Sequence, residues 1–150
     1  MPIVLRAELA LLTKRAVAHY WATLDQQSSK QRSGDADRGG RAAVTGGKQM
    51  DGFAHLVTEL LIDNGMDSAD IFTGRKLELP GYFRPTKKWD MIIMHHNTFV
   101  GAIEFKSHKG PSFGNNFNNR AEEAIGSAKD MWTAYREGAF KPSPKPWLGW

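Results

Sequence analysis

Hydrophobic and polar positions along the chain alternate with two different periods, and the period predicts the elements. Leu5, Leu9, Leu12, Ala16 and Tyr20 recur at helical spacing, which predicts an amphipathic helix over about residues 5–24. From Gln26 to Gly47 the stripe gives way to Gly, Ser and charge, a mobile linker or surface loop whose Lys30, Arg32, Arg38 and Arg41 suit a polyanion. Phe53, Leu56, Val57, Leu60 and Leu61 restore the helical period over about Gln49–Asn64, and Gly65 supplies the stop. Short strand-like runs follow. Ile71–Phe72 and Lys76–Leu79 read as a strand pair or one bent strand, while Trp89–Met94 and Phe99–Phe105 read as strands joined by the polar turn "HHNT", His95 to Thr98. A long helix is predicted over about Phe117–Glu137, ended by Gly138, and the last residues begin another strand. This order predicts an α/β (α+β) fold, a mixed central β-sheet flanked by helices. It divides one domain into an N-terminal helix, a flexible loop at 26–47 and a core at 48–150.

Composition changes this picture little. A chain of 150 residues suits one domain with a single core, and 41% hydrophobic with 24% charged residues is ordinary for a soluble protein. The absence of cysteine excludes disulfides and thiolate metal sites. Arg6, Glu8, Lys14 and Arg15 interrupt the N-terminal apolar run, so it is no signal peptide. No apolar run approaches the ~18–20 residues of a bilayer span. The expectation is a soluble, cytoplasmic protein with no membrane partner. A net charge of +4 points toward an anionic partner, nucleic acid first.

The chemistry is concentrated in the hairpin "WDMIIMHHNTFVGAIEFKSHK", Trp89 to Lys109. Strand alternation puts Glu104 and Lys106 on one face, with Ile103 and Phe105 on the other. A three-residue turn, His96-Asn97-Thr98, sets Asp90 opposite Glu104; a two-residue turn sets it opposite Ile103 and sends the carboxylates to different faces. In the first register the carboxylates stand ~4.5–5.5 Å apart at Cβ and need a cation between them. Mg2+ suits that gap, and Lys106 can stabilise charge growing on a phosphate. Metal, water and a neighbouring cation are the minimal set for phosphodiester hydrolysis. The same three residues also fit a charged, solvated sheet edge that discourages aggregation. His95 and His96 are read as exposed turn residues.

The Asp followed by Glu-x-Lys on the next strand resembles the PD-(D/E)XK nuclease superfamily, although Trp89 stands where the superfamily has proline. The blocks "TGGKQMDGF", "ELPGYFRPTKKWD" and "AIEFKSHKGPSFGNNFNNRAEEAIGSAKDMWTAYREGAF" resemble the XhoI-type family of type II restriction endonucleases over about residues 44–140. The resemblance implies a restriction-endonuclease-like core and a Mg2+-dependent enzyme that cuts double-stranded DNA at a short palindrome, CTCGAG being the leading site. It makes Asp90 and Glu104 metal ligands, with the Phe105 carbonyl as a third and Glu59 as the added helix carboxylate. Lys106 becomes the catalytic lysine. A palindrome implies a homodimer, one half-site per subunit, and a cognate DNA methyltransferase as genetic partner. Ser112, Asn115, Asn116, Asn118, Asn119 and Arg120 are candidates for reading bases, though asparagines there also cap the following helix. Arg84, Lys87 and Lys88 are candidates for phosphate contacts. Family members continue past the position of Trp150, so the fold is expected to be C-terminally incomplete. The alternative is a truncated remnant that binds DNA or a full-length partner without cutting; a repair or junction nuclease of the superfamily is a third reading.

Overall fold

A computed structural model of the protein describes residues 7–32, 48–74, 77–107 and 115–150. Its contacts divide the chain into two compact units, Met1–Gly65 and Met66–Trp150.

In the first unit α1 (Leu9–Arg32) packs on α2 (Asp51–Asp63), which a 3-10 turn at Lys48–Met50 introduces. Ala16, Tyr20 and Leu24 form the buried stripe of α1, as their spacing predicts, and the Tyr20 ring meets Phe53 of α2 edge-on. The helix runs eight residues past its expected end at residue 24, to Arg32. Those residues include Gln26, Gln27, Lys30, Gln31 and Arg32, all good helix formers, and neither Gly nor Pro. The expected loop at 26–47 is therefore helical as far as Arg32; residues 33–47, with Arg38 and Arg41, lie outside the described residues.

The second unit holds a four-stranded mixed sheet in the order β1-β4-β5-β6: β1 (Ile71–Thr73), β4 (Met91–His95), β5 (Thr98–Ile103) and β6 (Trp147–Gly149). β1 and β5 flank β4 antiparallel, while β6 runs parallel to β5. A parallel neighbour needs a crossover, and α3 (Asn115–Arg136) lies in that connection. Trp89, Ile92, Phe99, Ala102, Met131, Ala134 and Phe140 form the core between sheet and helix. β6 approaches β5 so closely that a Cβ on Gly101 would lie 2.8 Å from the Trp147 carbonyl oxygen. The incipient strand expected at the C-terminus is thus present and paired.

Ile71–Phe72 and the run ending at Leu79 do not pair with each other. β1 sets Ile71 and Phe72 against Ile93 and Ile92, an apolar match. β2 (Glu78–Pro80) instead pairs with β3 (Thr86–Lys88), a strand the hydrophobic pattern does not reveal. Its lysines have low strand propensity, and cross-strand charge holds it: Glu78 lies opposite Lys88, with Nζ 3.7 Å from a carboxylate oxygen. Among the described residues no helix is long and apolar enough to cross a membrane.

Candidate active site

The hairpin between β4 and β5 reaches the register that sets Asp90 across from Glu104 by a route neither sequence alternative contains. Its turn has two residues, His96 and Asn97, both at positive φ (48° and 62°), the conformation that matches strand twist in tight hairpins. Met94 then pairs with Phe99. Between Ile93 and Met94 the register shifts, so Ile93 pairs with Gly101 and Val100 is left as a bulge. Below the bulge the pairing is that of a three-residue turn, ending at Met91 opposite Ile103. The bulge meets two demands at once. It keeps Phe99 on the core face, where its ring lies 4.9 Å from that of Phe140, and it brings Asp90 and Glu104, the next residues of each strand, to the same end of the hairpin.

Backbone contacts hold both carboxylate residues. The Asp90 amide donates to the Ile103 carbonyl at 3.2 Å, and the Glu104 amide donates to the Gly149 carbonyl at 3.1 Å. The Asp90 carboxylate accepts from the Phe105 amide at 2.7 Å. Lys106 donates to one Glu104 carboxylate oxygen at 2.6 Å, both residues lying just past the end of β5 at Ile103 rather than within a strand reaching Phe105. The other Glu104 oxygen accepts from Lys87 at 2.5 Å. Lys106 also stands 3.4 Å from Glu123 on α3, which Arg120 holds at 2.8 Å. The Trp150 ring lies 4.7 Å from the Lys106 ammonium and 5.8 Å from that of Lys87, and Trp89 lies 4.4 Å from Lys87. Such contacts favour a cation that has lost part of its water.

The Asp90 carboxyl is pushed above its ordinary value of 3.8, first by lost hydration and then by the Glu104 carboxylate; the Phe105 amide, Lys106 and Lys87 oppose the rise. Glu123 is held low, chiefly by its bond to Arg120. For Asp90 the folded state retains its proton to higher pH than the unfolded chain does. Its contribution to stability is therefore fully present below 3.8 and is lost as pH rises through the raised value. Urea midpoints in EDTA are expected to show wild type losing stability relative to Asp90→Asn across that window. A difference that grows in the wild type's favour with pH would reverse the assignment.

Two carboxylates with one face in common suit Mg2+, which binds through few protein ligands and keeps several waters. Among the described residues no group of three or more His, Asp or Glu side chains is gathered closely enough to hold a metal by itself. Glu59 lies on α2, in the first unit.

The candidate DNA contacts separate. Lys87 sits inside the carboxylate cluster, with its side chain only 13% exposed. Lys88 is exposed beside Glu78, and Arg84 pairs with Asp130 at 3.1 Å. Asn115, Asn116, Asn118, Asn119 and Arg120 fall in the first turns of α3, with Asn118 and Asn119 exposed; Ser112 lies outside the described residues. The sequence reading misses Glu123, Asp130 and Trp150. Asp130 is buried and accepts from the amides of Tyr82 at 2.9 Å and Phe83 at 2.7 Å, besides Arg84. It fixes the loop before β3 so closely that a Cβ on Gly81 would lie 2.5 Å from its carboxylate. The available signal was a lone acid beside Met131, on a helix whose neighbouring positions Ser127 and Ala134 are also buried. Trp150 gave none.

A profile of the family described as Restriction endonuclease XhoI matches residues 29–150. Type II restriction enzyme BstVI of Geobacillus stearothermophilus is 56% identical over 127 residues, 81% of this chain and 56% of that protein. Type II restriction enzyme AbrI of Azospirillum brasilense is 51% identical over 139 residues, 91% of this chain and 62% of that protein. Type II restriction enzyme XhoI of Xanthomonas vasicola is 45% identical over 147 residues, 96% of this chain and 58% of that protein. The chain thus spans between 56% and 62% of the length of these relatives. No solved structure matches it significantly.

Proposed function

We propose, from the premise that the chain belongs to the XhoI restriction endonuclease family, that it is a Mg2+-dependent type II endonuclease hydrolysing double-stranded DNA at a short palindrome, CTCGAG first. The observation that carries the reading is the convergence of Asp90, Glu104 and Lys106 at one end of the hairpin. Asp90 and Glu104, with the Phe105 carbonyl, would hold the ion. Bound there, Mg2+ supplies Lewis-acid polarisation of the phosphate and makes an attacking water easier to deprotonate. Lys106 donates to the phosphate oxygens as negative charge builds, from a position already set by Glu104 and Trp150. Arg84, Lys87 and Lys88 serve the phosphate backbone, which supplies most of the affinity and none of the sequence information. The polar start of α3, Asn115 to Arg120, serves the base edges. A palindromic site fits a homodimer, and a cutter of this kind requires a methyltransferase that protects the host's own sites.

Purified chain incubated with a plasmid carrying one CTCGAG site is expected to yield linear DNA with Mg2+. It should yield none with EDTA and none as Glu104→Ala. Cutting that persists in EDTA would overturn the metal assignment, and cutting at another sequence would overturn the site. Because the chain spans 56–62% of its relatives' length, a second reading stands beside this one. A folded chain that binds duplex or a full-length relative without cutting would establish it.

A further inference from the structure

The cluster contains a second ammonium group that hydrolysis does not require. Asp90, Glu104 and Lys106 account for ion and phosphate, yet Lys87 occupies a Glu104 oxygen at 2.5 Å. It is no loosely draped surface lysine. Its side chain is 13% exposed and that of Glu104 is 14% exposed. Pairing of Leu79 with Lys87 fixes its backbone, and the Trp89 ring 4.4 Å away offers its ammonium a π face. Lys88, next along β3, is 74% exposed.

Charge counting gives this arrangement a consequence. Asp90 and Glu104, when ionised, balance Lys87 and Lys106, and Glu123 beside Lys106 balances Arg120. A divalent cation placed between the carboxylates adds two positive charges to a balanced set in which Glu104 and Lys87 are largely covered, and it must share Glu104 with two ammonium groups. Phosphates of a bound duplex restore the balance. Lys106 is committed to the scissile phosphate, so Lys87 is the ammonium that can leave Glu104 for a neighbouring one.

We infer that Lys87 is an electrostatic latch on Glu104 that couples metal loading to DNA binding. Without DNA it holds the carboxylate a metal needs. With DNA it moves to a backbone phosphate and releases that carboxylate. The inference rests on the metal and DNA reading proposed above. It makes Lys87 a positioning residue, acting through Glu104, and it means that each ligand raises the affinity for the other by the same factor.

The test is calorimetric titration of the full chain with Ca2+, a hard oxygen-seeking cation, alone and with a CTCGAG duplex. Wild type should bind Ca2+ roughly tenfold more tightly with duplex, a coupling of ordinary size. Lys87→Met should bind Ca2+ roughly tenfold more tightly than wild type without DNA and gain little from duplex. Lys87→Arg, which keeps the charge, should remain weak without DNA. A merely structural role for Lys87 predicts weaker binding in Lys87→Met. Unchanged or weaker binding there overturns the latch, as does wild type indifferent to duplex. If Lys87→Met does not fold, Lys87→Gln carries the same expectation. Glu104→Gln separates the two levels: Ca2+ binding that survives this change overturns the metal site itself.

Discussion

Lys106→Ala is expected to slow cleavage of the single-site plasmid roughly a thousandfold, the usual scale for removing one donor aimed at developing charge. Lys106 touches Glu104 and Glu123 and lies over Trp150, so its ammonium is positioned before any phosphate arrives. Binding of duplex without metal should change little, because many contacts along the backbone share that affinity. Gel-shift titration in EDTA beside a single-turnover rate separates the two effects. A variant that cuts at the wild-type rate would remove Lys106 from the chemistry. Arginine should rescue poorly, since a planar fork does not reproduce a point charge held between two carboxylates.

The largest effect on stability is expected at Asp130→Ala, about 2–4 kcal/mol in urea melts. The side chain is buried, and two amides, those of Tyr82 and Phe83, converge on one of its oxygens. Truncation leaves both donors without their acceptor. Arg84→Ala should cost far less, because its side chain is 43% exposed and its charge returns to solvent. Equal losses in the two variants would show that the ion pair, not the amide cap, holds the loop. Since that loop leads into β3, Asp130→Ala should also loosen Lys87, and metal affinity without DNA should rise even in protein that remains folded.

The helices and central strands were legible because their burial is periodic in the sequence. Ala16, Tyr20 and Leu24 repeat at helical spacing, and Met91 to Ile93 form an apolar run buried in the sheet. Asp90, Glu104 and Lys106 were legible because charged residues stand out against that run. What stayed hidden depends on partners distant in sequence. β3 is stabilised by Glu78 across the sheet and by Asp130 at the loop before it, neither of which leaves a local pattern. Lys87 reads as a surface lysine until β2 pairing carries it to Glu104. The end of α1 has helix-forming residues but no stripe, so only propensity marked it. The turn and its bulge compensate each other, and a rule that fixes register from the turn alone treats them as one quantity.

The bulge at Val100 also isolates one end of the hairpin from the other. Residues on its turn side answer to Phe99 and the core, while those on its far side answer to the charged cluster. A change in the tip, such as a longer loop at His96–Asn97 or a dye attached to Asn97, meets an element that can absorb one residue of slippage before Ile93. The hairpin tip is therefore a handle: a tether or reporter fixed there would leave the charged cluster in its own frame.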